Sequence, residues 1–294
     1  MHEHSHTHQT RYDVAFIAGV ALNTAFIAVE VIFGLAAGSL ALLSDAGHNL
    51  TDVAALLIAW LAAWLTRRRR TQLRTYGWRK ASILGALLNA ALLLVVVGIL
   101  VYEAILRLAR PAPVQGAVMM VVASIGVVIN SLTAMFFFHG RRQDLNIRAA
   151  FIHMAADAAV SLGVVVAGAA ILITGWTWLD PVVSLVILAL ILIGTSQLFR
   201  EAFDLAMDAV PAGIDPRAVH DYLAALPGVI EVHDLHIWGM STTEAALTAH
   251  LVKPDPSTDD ALIAQITHDL QTRFRIGHPT IQWERPGQPP VVPH

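Results

Sequence analysis

The sequence predicts an α-helical membrane protein with six transmembrane helices and a C-terminal α+β domain. Three observations predict it. Of the 294 residues, 56% are hydrophobic and only 14% are charged, with a mean hydropathy of +0.60. A soluble domain carries nearer a quarter of charged residues. The apolar residues come in blocks of about twenty or more, the length that spans a hydrocarbon core. Beyond Phe199 the pattern changes to short amphipathic segments.

Composition also excludes some classes. Net charge is −3, so no bulk polarity points to nucleic acid, and no nucleic-acid partner is expected. With no cysteine, disulfides, thiolate metal sites and Cys nucleophiles are out. The first twelve residues are polar and His-rich. They lack the apolar core of a cleaved signal peptide, so the first hydrophobic block is expected to be retained.

The six spans are read at about 14–37, 40–65, 81–106, 114–138, 148–173 and 179–199. An even number puts both termini on one side, and Lys and Arg choose that side. The loop after the second span holds Arg67, Arg68, Arg69, Arg70, Arg74, Arg79 and Lys80. The loop after the fourth holds Arg141 and Arg142, with Arg148 following. The alternate loops offer only Arg107 and Arg110. Both termini are therefore expected in the cytoplasm, with the lipid bilayer as an obligatory partner.

The domain after the spans starts near Val210. Asp215-Pro216 opens a helix with Pro in its first turn, and Pro227-Gly228 closes it. VIEVHDLHIW (229–238) and EAALTAHLVK (244–253) alternate like two strands joined by a turn. A second helix is read over Ser257 to Phe274 and a third strand over TIQWE (280–284). The order is α-β-β-α-β. The Pro-rich end, 287–294, is read as a disordered tail.

One pattern inside the spans carries chemistry. HNLTD (His48 to Asp52) and HMAAD (His153 to Asp157) repeat His and Asp four residues apart in two apolar segments. Residues i and i+4 share a helix face. A carboxylate at mid-bilayer costs a few kcal/mol or more and usually marks an ion path. Two such faces turned towards each other offer two imidazoles and two carboxylates, which suit tetrahedral Zn²⁺ at about 2.0–2.2 Å. Two Asp charges would balance one divalent ion. The bland alternative is that each residue only hydrogen-bonds a neighbouring helix. Asn23, Glu30, Asn89, Glu103 and Asn130 line the same cavity or bond between helices. Asp45, one turn before His48, is either an outer gate or an acceptor behind the ligands.

With SDAGHNLTD in the second span, HMAAD in the fifth, and HDLHIW, ALTAHL and HPTIQWE in the terminal domain, the chain resembles the cation diffusion facilitator family of zinc and divalent-metal exporters. The resemblance covers nearly the whole chain. It implies a homodimeric antiporter exchanging cytosolic Zn²⁺ for protons, with a ferredoxin-like cytoplasmic domain. It places the transport site on His48, Asp52, His153 and Asp157. His at both first positions resembles zinc-selective members rather than manganese ones. It also implies a cytoplasmic metal site from His233, His250 and Glu284 near the dimer interface, although Gln282 stands where some relatives have a His ligand. Lys80 and Asp208 stand where some relatives have an inter-subunit salt bridge. The His-rich loop many relatives carry between spans four and five is short here, with His139 alone; His2, His4, His6 and His8 cluster at the N-terminus instead.

The expected organisation is a His-rich cytoplasmic tail (1–12), a transmembrane domain (13–205), a cytoplasmic domain (206–286) and the terminal tail (287–294). The expected function is secondary active export of Zn²⁺, with Cd²⁺ or Co²⁺ as further cargo, through a His₂Asp₂ site, and with Zn²⁺ also as a regulatory ligand. The expected location is the bacterial inner membrane. The alternatives are an intramembrane metalloenzyme, or a passive metal channel or sensor. Against an enzyme, the H-E-x-x-H signature is absent, and four protein ligands leave no open position for catalytic water. Against a pump with its own ATPase, there is no G-x-x-x-x-G-K-[ST].

Overall fold

In a computed structural model, residues 6–66, 68, 71–138, 145–254 and 260–287 are described. Six long helices stand where six apolar blocks were read: α1 (His6–Ala37), α2 (Leu40–Thr66), α3 (Ala81–Ala109), α4 (Gly116–Phe137), α5 (Leu145–Thr174) and α6 (Leu179–Ala206). Among the described residues, four stretches are long and apolar enough to cross a membrane: α3, Gly116–Met135 of α4, Phe151–Thr174 of α5, and α6. Asn23–Ala37 of α1 is a further apolar stretch among the described residues, and α2 carries Ser44, Asp45, His48, Asn49 and Asp52 within its apolar run. The protein is thus a multi-pass membrane protein. Exposed Leu92, Val95 and Ile99 on α3 and Ile193 on α6 give the apolar surface that lipid requires.

Boundaries differ in places from the sequence reading. α1 begins at His6 rather than at 14, because the polar segment before the apolar block contains no Gly or Pro to stop the helix. α6 continues past Phe199 to Ala206, where Met207 and Ala209 close its last turn onto Phe203 and Asp204. His2, His4, His139 and the tail from 288 lie outside the described residues.

The chain forms two compact units. The first comprises residues 1–57 and 89–196. Its core is aliphatic, with Leu42, Val97, Met119, Val164 and Leu188 almost fully buried. Small residues bring α4 and α5 close. A Cβ on Gly168 would lie 2.9 Å from the Met120 nitrogen, and one on Gly116 would lie 2.7 Å from the Gly168 carbonyl oxygen. Only glycine permits that approach, as is common between membrane helices. Asp180 of α6 accepts hydrogen bonds from Ser39 Oγ (2.6 Å) and from the backbone N–H of Leu40 (2.8 Å) and Ala41 (3.2 Å). It thereby caps the start of α2 from another helix, where N–H groups lack intrahelical partners.

The second unit comprises 58–88 and 197–294. It contains α7 (Pro216–Ala224), β1 (Glu231–Gly239), β2 (Ala245–Val252), α8 (Asp260–Phe274) and β3 (Ile276–Glu284). The observed order is the expected α-β-β-α-β. Asp215 caps α7 by accepting from the Arg217 N–H, with Pro216 next in line. β1 pairs antiparallel with β2, and β2 pairs parallel with β3, giving the order β1-β2-β3. Leu223, Leu247, Leu251, Ile266, Leu270 and Ile276 fill the core. β3 starts four residues earlier than TIQWE suggests, because Gly277 and Pro279 read as breakers. An edge strand tolerates Pro, since its outer N–H has no ladder partner to lose.

Lys80 Nζ donates to Asp208 Oδ1 at 2.7 Å, so the two residues that the resemblance singles out pair within the chain. Asp208 adopts φ 59°, a left-handed conformation that Asp tolerates better than most residues.

Candidate metal centre

The helical period places His48 and Asp52 on one face of α2, and His153 and Asp157 on one face of α5. The structure turns these faces together, and the pairing is crossed. His48 Nε2 lies 3.1 Å from Asp157 Oδ1, and His153 Nε2 lies 3.1 Å from Asp52 Oδ2. His153 Nε2 is also 3.7 Å from Asp157 Oδ2, and the two imidazoles meet edge to face at 6.1 Å. Ligand atoms of His48, Asp52 and Asp157 all lie within 4.8 Å of one another, a span that one cation can bridge. His153 joins through its contacts with both Asp residues. Asp157 is buried, while Asp52 and His153 are half-buried.

Polar residues continue this site along the helices. Ser161, one turn beyond Asp157, donates to Asp45 Oδ2 at 3.1 Å. Asn49 donates to Glu30 Oε2 of α1 at 3.1 Å. A Cβ on Gly126 of α4 would meet Ser161 Oγ at 3.1 Å. The helices run antiparallel, so Asn130 and Asp157, each one turn away, sit at the same level. Asn130 Nδ2 and Asp157 Oδ2 are both buried without a hydrogen-bond partner. Glu103 is not part of the cluster among the described residues; it accepts from Arg107 Nε at 3.0 Å, and Arg107 also donates to the Gly38 carbonyl.

A second group forms on the small sheet. Register sets His233 of β1 directly across from His250 of β2, with Glu284 at the end of β3. Glu284 joins them: His233 Nε2 lies 3.1 Å from Oε2, and His250 Nδ1 lies 2.8 Å from Oε1. The three residues' ligand atoms lie within 4.8 Å of one another. Gln282 donates to Glu284 Oε1 at 2.9 Å, so it supports the carboxylate rather than competing with it. Asp234 was missed by sequence reasoning. A bulge between His233 and His236, with Asp234 at φ 51°, brings its Oδ2 to 3.6 Å from His250 Nε2. His236 pairs with Asp234, and His278 accepts from Arg79, so both lie outside this group.

Two carboxylate–imidazole pairs, each drawn from α2 and α5, thus meet within an apolar bundle. The family profile described as "Cation efflux transmembrane domain" matches residues 16–205. The chain belongs to the cation efflux family. The profile "Cation efflux protein, cytoplasmic domain" matches 211–286. The chain is 37% identical to "Zinc transporter ZitB" of Escherichia coli, over 96% of this chain and 92% of that one. It is 34% identical to "Metal cation efflux system protein CzcD" of Cupriavidus metallidurans, over 96% and 89%. It is 32% identical to the "Cadmium, cobalt and zinc/H(+)-K(+) antiporter" of Bacillus velezensis, over 96% and 91%.

Proposed function

We propose that this cation efflux protein is a secondary active exporter of Zn²⁺, with Cd²⁺ or Co²⁺ as further cargo, driven by proton exchange. The observation that carries this reading is the crossed pairing of His48 with Asp157 and His153 with Asp52 inside the bundle. Each His–Asp contact spans two helices. An arriving metal takes neutral imidazole nitrogens and ionised carboxylates, so it competes with the protons those groups carry. Loading protons releases metal, and shedding them rebinds it. Alternating access around one midplane site turns that competition into exchange and needs no ATP.

In this reading the transport site is His48, Asp52, His153 and Asp157. His233, His250 and Glu284 hold a second, regulatory Zn²⁺. The chain is a transporter and not an enzyme. It works as a homodimer in the bacterial inner membrane with both termini cytoplasmic, on the evidence of its basic loops. A tail (1–12) precedes a transmembrane domain (13–205), a cytoplasmic domain (206–286) and a terminal tail (287–294). The names of the relatives support zinc as cargo and protons as counter-ion.

The test is zinc accumulation in sealed vesicles under an imposed proton gradient, acidic on the non-cytoplasmic side. Uphill accumulation that disappears with a proton ionophore supports exchange. Equal accumulation with and without the ionophore would favour a passive channel.

A further inference from the structure

Glu30 of α1 and Asp45 of α2 are both buried, at 0% and 1% exposure. Asn49, one turn on from Asp45 on the same face of α2, bonds Glu30, so the two carboxyl groups sit close enough to feel each other's charge. Each has one oxygen satisfied by a donor: Asn49 Nδ2 for Glu30 Oε2, and Ser161 Oγ for Asp45 Oδ2. The other two oxygens, Glu30 Oε1 and Asp45 Oδ1, are buried with no donor at all. Two facing carboxylates in an apolar bundle repel each other, and a buried acceptor without a donor is costly. One proton held between them removes both penalties at once, because it supplies the missing donor and neutralises one charge.

We propose that Glu30 and Asp45 form a proton site, distinct from the metal ligands, which holds one shared proton in the zinc-free protein and releases it when zinc binds. The inference rests on the transport reading above. The ionisable groups facing the pair are few. His48 on α2 and Asp157 on α5 act on Asp45 through space, and α4, which packs against α1, carries no ionisable residue between Gly116 and Phe138. Asp45 therefore feels the charge at the transport site. A divalent ion held by His48 and Asp157 puts two positive charges about one helical turn, roughly 5.4 Å, from it. The balance is simple: Zn²⁺ enters, the shared proton leaves as H⁺, and the pair gains one negative charge.

The experiment is zinc titration calorimetry in buffers of different ionisation enthalpy, which counts protons released per zinc. Wild type and variants are compared at one pH, so protons displaced from the imidazoles largely cancel in the difference. Glu30→Gln preserves the contacts, since its amide can donate to Asp45 Oδ1 and accept from Asn49. It should bind zinc yet release about one proton fewer than the wild type. Asp45→Asn makes the same test from the other side. Infrared difference spectra of the wild type need no variant: a protonated-carboxyl band should be present without zinc and vanish on its addition. Zinc binding with an unchanged proton count in either variant, or a wild type without that band, overturns the proton pair alone. Absence of zinc binding by the wild type would overturn the transport reading instead.

Discussion

His48 Nε2 lies 3.1 Å from Asp157 Oδ1, so the α2 histidine is partnered by the α5 aspartate rather than by Asp52 of its own helix. Asp157 is also the most buried member of the site, at 2% exposure. Asp157→Ala should therefore do more than remove a ligand. It leaves the His48 imidazole without its partner, which costs about 1–3 kcal/mol. We expect zinc flux to fall at least tenfold, with a lower melting temperature in detergent. Asp52→Ala, at a half-exposed position, should lose flux to a similar extent with a smaller change in melting temperature. Near-normal flux in either variant would remove the shared site.

Proton competition sets the pH dependence. A free imidazole titrates near pH 6.5 and a free Asp near 3.9, and zinc binds only their deprotonated forms. As pH falls, protonation favours the metal-free state. Apparent zinc affinity of the purified protein should drop as pH falls from about 7 to 5, by about tenfold per pH unit for each proton displaced. A flat affinity over that range would contradict binding through His48 and His153.

Glu284 is the link between His233 and His250, touching one with each carboxylate oxygen. Glu284→Ala should cost the full-length protein one zinc per chain in equilibrium dialysis and leave zinc at the transmembrane site. An unchanged stoichiometry would show that this triad holds no metal.

The legible and hidden parts of the molecule separate along physical lines. Apolar runs and the His-x-x-x-Asp spacing depend on the period of one helix, so the six long helices and the two His/Asp faces can be read in the sequence. The crossed pairing depends on how α2 and α5 are offset, which no local pattern encodes. Asn130 is legible as a cavity candidate, but its level beside Asp157 follows from the close approach of α4 and α5 at Gly126 and Ser161. Asp234 lies in a bulge that breaks the two-residue alternation of β1, so alternation could not place it beside His250.

Asp180 gives the prediction that joins fold to site most directly. It starts α6, yet its carboxylate binds the first turn of α2 through Ser39 Oγ and the N–H groups of Leu40 and Ala41. That turn leads into the segment carrying His48 and Asp52. Asp180 is fully buried, so water cannot replace it as acceptor. Asp180→Ala leaves these donors unsatisfied, at about 1–3 kcal/mol for each buried group. Asp180→Asn keeps one oxygen acceptor and should retain part of the stability. The expected order of melting temperature in detergent is wild type, then Asp180→Asn, then Asp180→Ala. Zinc affinity should follow the same order although Asp180 touches no ligand, because a frayed α2 start loosens the helix that presents them. A fully stable Asp180→Ala protein with wild-type zinc affinity would show that α2 is held by its packing alone.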